Sequence, residues 1–159
     1  MSRRCQWHKR ENVLYYLPKL HQDRFRKKLR QAYHSKTYRG AKQKLTSIRK
    51  ELELINQSAV NSLDEGLEET LTPHKLGLFP ELGRSFKTTN CIESINKQLG
   101  IYTDRVTYWK NSNQRKRWVA AALFEIEPKL IKVYGYRHLP KLRQAMKVFT
   151  QTQDTSKVA

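Results

Sequence analysis

Acidic residues are scarce in this chain: 14 Asp and Glu stand against 32 Lys and Arg, a formal charge of +18 over 159 residues. Cysteine is scarcer still. Cys5 and Cys91 cannot build the disulfide framework of a small secreted scaffold, and so low a number suits a reducing cytosol. No apolar run approaches the roughly 20 residues that a membrane-spanning helix needs, and residues 1–10 lack the apolar stretch of a secretory leader. Internal repeats and convincing strand alternation are missing too. These absences predict a soluble, cytoplasmic, mainly α protein.

What is present is an uneven distribution of charge. Residues 1–50 hold sixteen Lys and Arg against Glu11 and Asp23, whereas residues 51–69 hold six acids and no base. From Arg84 the chain is basic again. Such an excess must meet a polyanion or repel itself, and nucleic acid is the commonest such partner. The apolar share is 38%, against the roughly 45–50% common in globular domains when Gly is counted, so the core is expected to be thin.

Helical periodicity runs through the first half. Residues 10–20 place Val13, Leu14, Leu17 and Leu20 around an interrupting Pro18. Residues 23–34 set Phe25, Leu29, Ala32 and Tyr33 on one side of a strongly basic helix. Leu45, Ile48, Leu52 and Ile55 mark a helix over 39–56, and Ala59, Leu63, Leu67 and Leu71 mark another over 58–71. The stretch "TPHKLGLFPELGRS", with two prolines and two glycines, predicts a connector over 72–89. A helix over about 90–99 is then ended by Gly100. Ser112 caps a helix over 113–127, with Trp118, Ala122, Leu123 and Ile126 facing inward and Pro128 limiting it. Residues 129–148 read as helical in parts, "LIKVYGY" is the best strand candidate, and 150–159 form a frayed polar tail.

One acid, Glu93, stands in "KTTNCIESIN". On spacing alone it has two readings. Asn90 followed three residues later by Glu93 resembles a capping box, in which Glu93 reaches back to the start of its helix and meets the positive end of the helix dipole. Alternatively, its carboxylate is a metal ligand.

The segment "GRSFKTTNCIESINKQL" resembles the surroundings of the third acid in Mutator-superfamily DDE transposases, whose pattern is R-x-x-x-T-T-N-x-x-E-x-x-N; here it falls on Arg84, Thr88, Thr89, Asn90, Glu93 and Asn96. "RCQWHKRENVLYYLPK" resembles the family's C-x-x-H stretch at Cys5, His8, Lys9, Asn12 and Val13. "SLDEGLEETLTPHKLGL" and the stretch from Asn111 to Arg143 follow in matching order, so the resemblance spans about residues 3–145.

It implies a transposase of insertion-sequence type, acting on transposon ends and target DNA in a nucleoid-associated prokaryotic setting. The implied fold is the C-terminal part of a ribonuclease-H-like α/β core with its helical insertion, the catalytic sheet largely absent from this chain. Residues 1–71 would be the insertion region with the C-x-x-H stretch, and 90–149 the helical end of the core. Glu93 would be the catalytic and metal-binding third acid. In the complete enzyme, carboxylates hold Mg²⁺ (or Mn²⁺) during in-line displacement at a phosphodiester; no tightly bound cofactor is expected in this chain.

The family's two earlier aspartates find no counterpart. Asp23 and Asp64 precede Glu93, but neither has a strand beside it and both follow the C-x-x-H stretch. The expectation is therefore a C-terminal fragment, inactive alone, that binds DNA and associates with itself or with the N-terminal transposase portion; partly exposed apolar faces would promote this. The alternative is a non-catalytic basic helical module that binds nucleic acid. Cys5 and His8 share one face of the first helix and lack a second close pair of zinc ligands. Candidate phosphate contacts are Arg24, Arg26, Lys27, Lys28 and Arg30 in one cluster and Arg115, Lys116 and Arg117 in another, with Arg84, Lys87 and Lys97 flanking the glutamate.

Overall fold

The computed structural model describes residues 4–155, and it is mainly helical, with no strand among them. The chain divides into two compact units: one runs up to Thr88 and resumes at Tyr134, and the other is Thr89–Val133.

The first unit is founded on four helices, α1 (Gln6–Tyr15), α2 (Lys19–Tyr33), α3 (Tyr38–Glu53) and α4 (Gln57–Asp64). Helix α1 packs on α2 and α4, and α3 on α2 and α4, so the four close into a ring around one core. The stripes that do this repeat at three and four residues, as a helix requires. Phe25, Leu29, Ala32 and Tyr33 come from α2, and Ala41, Leu45, Ile48 and Leu52 from α3; Val13, Leu14, Ala59, Val60 and Leu63 complete the floor. Each fully buried Leu or Phe contributes about 1.5–3 kcal/mol. Leu20, at the expected periodic position, is instead exposed, because α2 starts afresh after Pro18 with a new phase.

Local chemistry sets the helix ends. The Thr37 hydroxyl accepts from the Gly40 amide at the start of α3, and Asn56 Oδ1 accepts from the Ser58 and Ala59 amides at the start of α4. The helix expected over 58–71 breaks at Gly66, whose φ of +68° is costly for any other residue and where a Cβ would lie 2.5 Å from the Arg4 side chain. Beyond it lie α5 (Leu67–Thr70), α6 (Thr72–Lys75) and α7 (Phe79–Phe86). The prolines that predict a connector over 72–89 occupy the first turns of α6 and α7, where a missing amide costs nothing.

Polar side chains pin α1 to this segment from inside. Gln6 Nε2 donates to the Thr70 carbonyl at 2.8 Å, and Lys9, 4% exposed, donates to the Ser62 carbonyl at 2.6 Å. His74 is buried, stacked 3.7 Å from the Phe79 ring, with Nε2 3.0 Å from the Ser35 carbonyl.

The second unit is a helical hairpin of α8 (Asn90–Thr103) and α9 (Ser112–Ile126), followed by a 3₁₀ turn at Glu127–Lys129. Gly100 does not end α8, which continues to Thr103. Asn111, not Ser112, caps α9: its Oδ1 accepts from the Gln114 amide at 2.8 Å. Ala122 and Ile126 are buried as expected, whereas Trp118 and Leu123 are 45% and 40% exposed. Trp118 instead meets Trp109 edge-on.

The chain re-joins the first unit without forming the candidate strand. Residues 130–133 take no regular secondary structure, Gly135 turns at φ +78°, and a 3₁₀ turn at Tyr136–His138 leads into α10 (Leu139–Thr155). Only glycine fits at 135, since a Cβ would stand 2.3 Å from the Glu81 carbonyl oxygen. The frayed tail expected over 150–159 is helical backbone as far as Thr155, and 156–159 lie outside the described residues. No helix among the described residues is long and apolar enough to cross a membrane.

Candidate active-site helix and basic surfaces

From its N-cap Thr89, helix α8 carries the T-N-x-x-E-x-x-N part of the run as one stripe. Thr89 and Asn90 lie four and three residues before Glu93, and Asn96 and Lys97 lie three and four after it, so all five share a helix face. Asn90, Glu93, Asn96 and Lys97 are exposed, and no residue of α8 is buried. The motif spacing is thus a helical spacing, and it holds the acid on a rigid support in the open.

The capping box expected from Asn90 and Glu93 does not form. Thr89, not Asn90, is the N-cap, and the Glu93 amide bonds to the Thr89 carbonyl at 2.9 Å as an ordinary helical bond. Glu93 is therefore one residue too deep for the N3 role. Its carboxylate instead accepts a short hydrogen bond from the Thr89 hydroxyl. That bond is local and leaves the rest of the carboxylate open to solvent.

The C-x-x-H residues sit at the start of α1. Cys5 is the N-cap residue, without a side-chain capping bond, and both cysteines are free thiols. His8 is exposed and meets the Trp7 ring edge-on at 4.9 Å, while Asn12 is exposed a turn later. The two distant motifs meet through the backbone of the first unit: the Gln6 amide donates to the Lys87 carbonyl at 3.0 Å.

The basic residues divide by what already neutralises them. In the first cluster, Arg24 and Lys28 both bond to Glu51, at 2.7 and 2.6 Å, and Arg26 bonds to Asp23 at 2.6 Å. The Lys28 hydrogen bond, against some cost of burial and with help from Arg24, holds the Glu51 carboxyl below its ordinary range. Lys27 and Arg30 form no ion pair among the described residues and point outward. Arg84 lies 4.8 Å from the Tyr134 ring, and Lys87 Nζ is 3.5 Å from His34 Nε2. These two belong to the first unit and Glu93 and Lys97 to the second. In the second cluster, Arg115 lies over Trp109, and Lys116 and Arg117 are exposed without ion pairs among the described residues.

The two upstream aspartates are spent on basic partners. Asp23 holds Arg26, and Asp64 accepts two bonds from Arg49 Nε at 2.9 Å. Among the described residues no group of three or more His, Cys, Asp or Glu side chains could hold a metal ion. The residues present do not fit a resident pair of divalent cations, each of which needs several carboxylate oxygens.

A polar cleft between α1 and α4 escaped the sequence reading. Asn12, Tyr15 and Tyr16 line one wall, and Ser58, Asn61 and Ser62 the other. Its signal was available: polar residues at i, i+3 and i+4 in both "NVLYY" and "SAVNS".

The exposed acid in its T-T-N setting belongs to the pattern that resembles DDE transposases. Comparison with known families is specific: residues 1–132 match the model described as Transposase, Mutator family. The chain belongs to that family. No significant match was found among curated proteins or among solved structures.

Proposed function

We propose that this chain serves the transposition of a mobile element of insertion-sequence type, supplying a DNA-binding surface and one catalytic carboxylate, Glu93. The observation that carries the reading is the α8 stripe. It sets an exposed carboxylate on a rigid helix face, oriented by Thr89 and accompanied by Lys97, within a chain of the Mutator transposase family.

Glu93 orients toward a reacting phosphodiester, and Lys97 offsets phosphate charge on the same face. Arg84 and Lys87, with the exposed cations of the two clusters, track the backbone of transposon ends and target DNA. The ribonuclease-H-like core is completed by strands and two aspartates from outside these residues. Mg²⁺ or Mn²⁺ is then needed by the completed enzyme, where it would supply charge neutralisation at the phosphate. The chain alone binds DNA and does not cut it, and it acts in the nucleoid.

The test mixes the purified chain with transposon-end duplex and Mg²⁺, with and without a polypeptide carrying the family's upstream catalytic segment. Cleavage only with both, lost on Glu93→Gln, is expected. Cleavage by the mixture that survives Glu93→Gln would leave the chain as a non-catalytic binding module.

A further inference from the structure

The cleft between α1 and α4 has no role in the chemistry above, yet it is built from residues that need an explanation. Its volume is about 640 Å³, within the range of small-molecule sites. On α1 and its C-cap, Asn12, Tyr15 and Tyr16 share one face; on α4, Ser58, Asn61 and Ser62 share another, and the two faces border one opening. The opposite sides of the same helices make the core, through Val13, Leu14, Ala59, Val60 and Leu63. Packing therefore does not account for the two tyrosines. Tyr15 is 82% exposed and Tyr16 44%, their rings held edge-on 5.5 Å apart.

The chemistry of the walls narrows the ligand. The Asn12 side chain bonds to no described residue, and Asn61 accepts from Gln57 Nε2 through its Oδ1, which leaves its amide N–H groups available. The one acid at the rim among the described residues, Glu65, is neutralised: Arg4 bonds to it at 2.7 Å and the Lys9 ammonium stands 3.8 Å away. A single engaged carboxylate does not make a cation site. Among the described residues no free cation lines the cleft to hold a phosphate. Two aromatic faces beside amides and hydroxyls suit a flat, neutral group with donors and acceptors on its edge. A nucleobase has that form.

Resting on the DNA-binding reading above, we infer that this cleft takes an unpaired base of DNA, stacked on Tyr15 or Tyr16 and bonded along its edge by Asn12 and Asn61. A paired base is excluded because its faces are covered by neighbours and its edge by its partner, so the base must be extruded or single-stranded.

Two duplexes of the same sequence test this. One is fully paired; the other carries a 2-aminopurine opposite an abasic position. Anisotropy gives the affinity, and 2-aminopurine fluorescence reports stacking. The unpaired duplex is expected to bind about tenfold more tightly, with quenching, since one stacked base is commonly worth that factor or more. Tyr15→Ala with Tyr16→Ala should abolish both the preference and the quenching while leaving the paired duplex bound as before; Tyr15→Phe should retain them. Urea melts confirm that the double variant is folded, and Asn61→Ala provides a second route that spares the tyrosines. Equal affinity for the two duplexes, or a preference that survives the double variant, overturns the cleft but leaves DNA binding intact. Failure to bind either duplex overturns the DNA-binding reading and this inference together.

Discussion

The hydroxyl of Thr89 donates to the carboxylate of Glu93 one helical turn further on, so the second threonine of the T-T-N run orients the acid that follows. In the completed enzyme, Thr89→Val is expected to lower the cleavage rate about tenfold, the lower end of what loss of an orienting partner costs. Duplex affinity should not change, and Thr89→Ser should restore the rate. Single-turnover cleavage alongside anisotropy separates this from a folding defect, which would depress both.

Charge already spent within the protein is not available to phosphate. Neutralising Lys27 and Arg30 should lower the log–log salt slope of duplex binding by about 1.8, at about 0.9 per contact. The pair Arg24→Gln and Lys28→Gln should lower it less, because both bond to Glu51. Glu51→Gln should raise affinity by releasing them. Anisotropy titrations across KCl concentrations measure all three, and equal slopes for the two pairs would contradict the assignment.

Lys9 is a structural residue despite its charge. Lys9→Ala removes a buried stem and leaves the Ser62 carbonyl without its 2.6 Å donor, a loss of about 2–4 kcal/mol. Urea denaturation should show it as a lowered midpoint. Replacing exposed Lys44 in the same way should shift the midpoint by less than about 0.5 kcal/mol in equivalent stability.

His74 makes stability depend on mild acid. Burial pushes its imidazole below the ordinary value of 6.5, against the opposing pull of the Ser35 and Tyr33 backbone. The folded chain thus binds fewer protons here than the unfolded chain. Its contribution is whole above 6.5 and shrinks as pH falls through the lower folded value. Urea midpoints from pH 7.5 to 5 should fall in the native chain, and part of that slope should vanish in His74→Gln.

Glu68 acts in a lower window. Its partial burial would raise the carboxyl, but bonds from Lys75 at 2.5 Å, Lys42 at 2.9 Å and Tyr38 at 2.8 Å outweigh this and bring it to about 2. Its depressed value stabilises the fold fully above 4.5, and the contribution is lost as pH falls toward 2. Glu68→Gln should flatten the acid limb of the stability curve, as followed by circular dichroism.

Periodicity made the four-helix ring legible, because Phe25, Leu29, Leu45, Ile48, Leu52 and Leu63 repeat at helical intervals and each is buried. Punctuation misled more than pattern. Pro73 and Pro80 read as breakers but begin helices, and Gly100 reads as a stop but lies inside α8. Gly66 was the real interruption, and a glycine in a helical pattern does not announce its φ. At the candidate site, the exposed acid was visible from its motif. Its bond to Thr89 was not, since that depends on the helix starting one residue earlier than the Asn90 spacing suggests. The apolar face of α9 was read from period alone, and only Ala122 and Ile126 found cover.

The segment Thr89–Val133 leaves and re-joins a body whose parts come from both sides of it. At the re-joining point the Ser85 hydroxyl donates to the Tyr134 carbonyl at 3.2 Å, and Gly135 lies against Glu81. During synthesis on the ribosome, the residues up to Thr88 emerge ahead of Tyr134. They cannot close that seam until the hairpin has been made and Tyr134 has cleared the exit tunnel. The Glu93 helix is consequently presented before the body that carries it is finished.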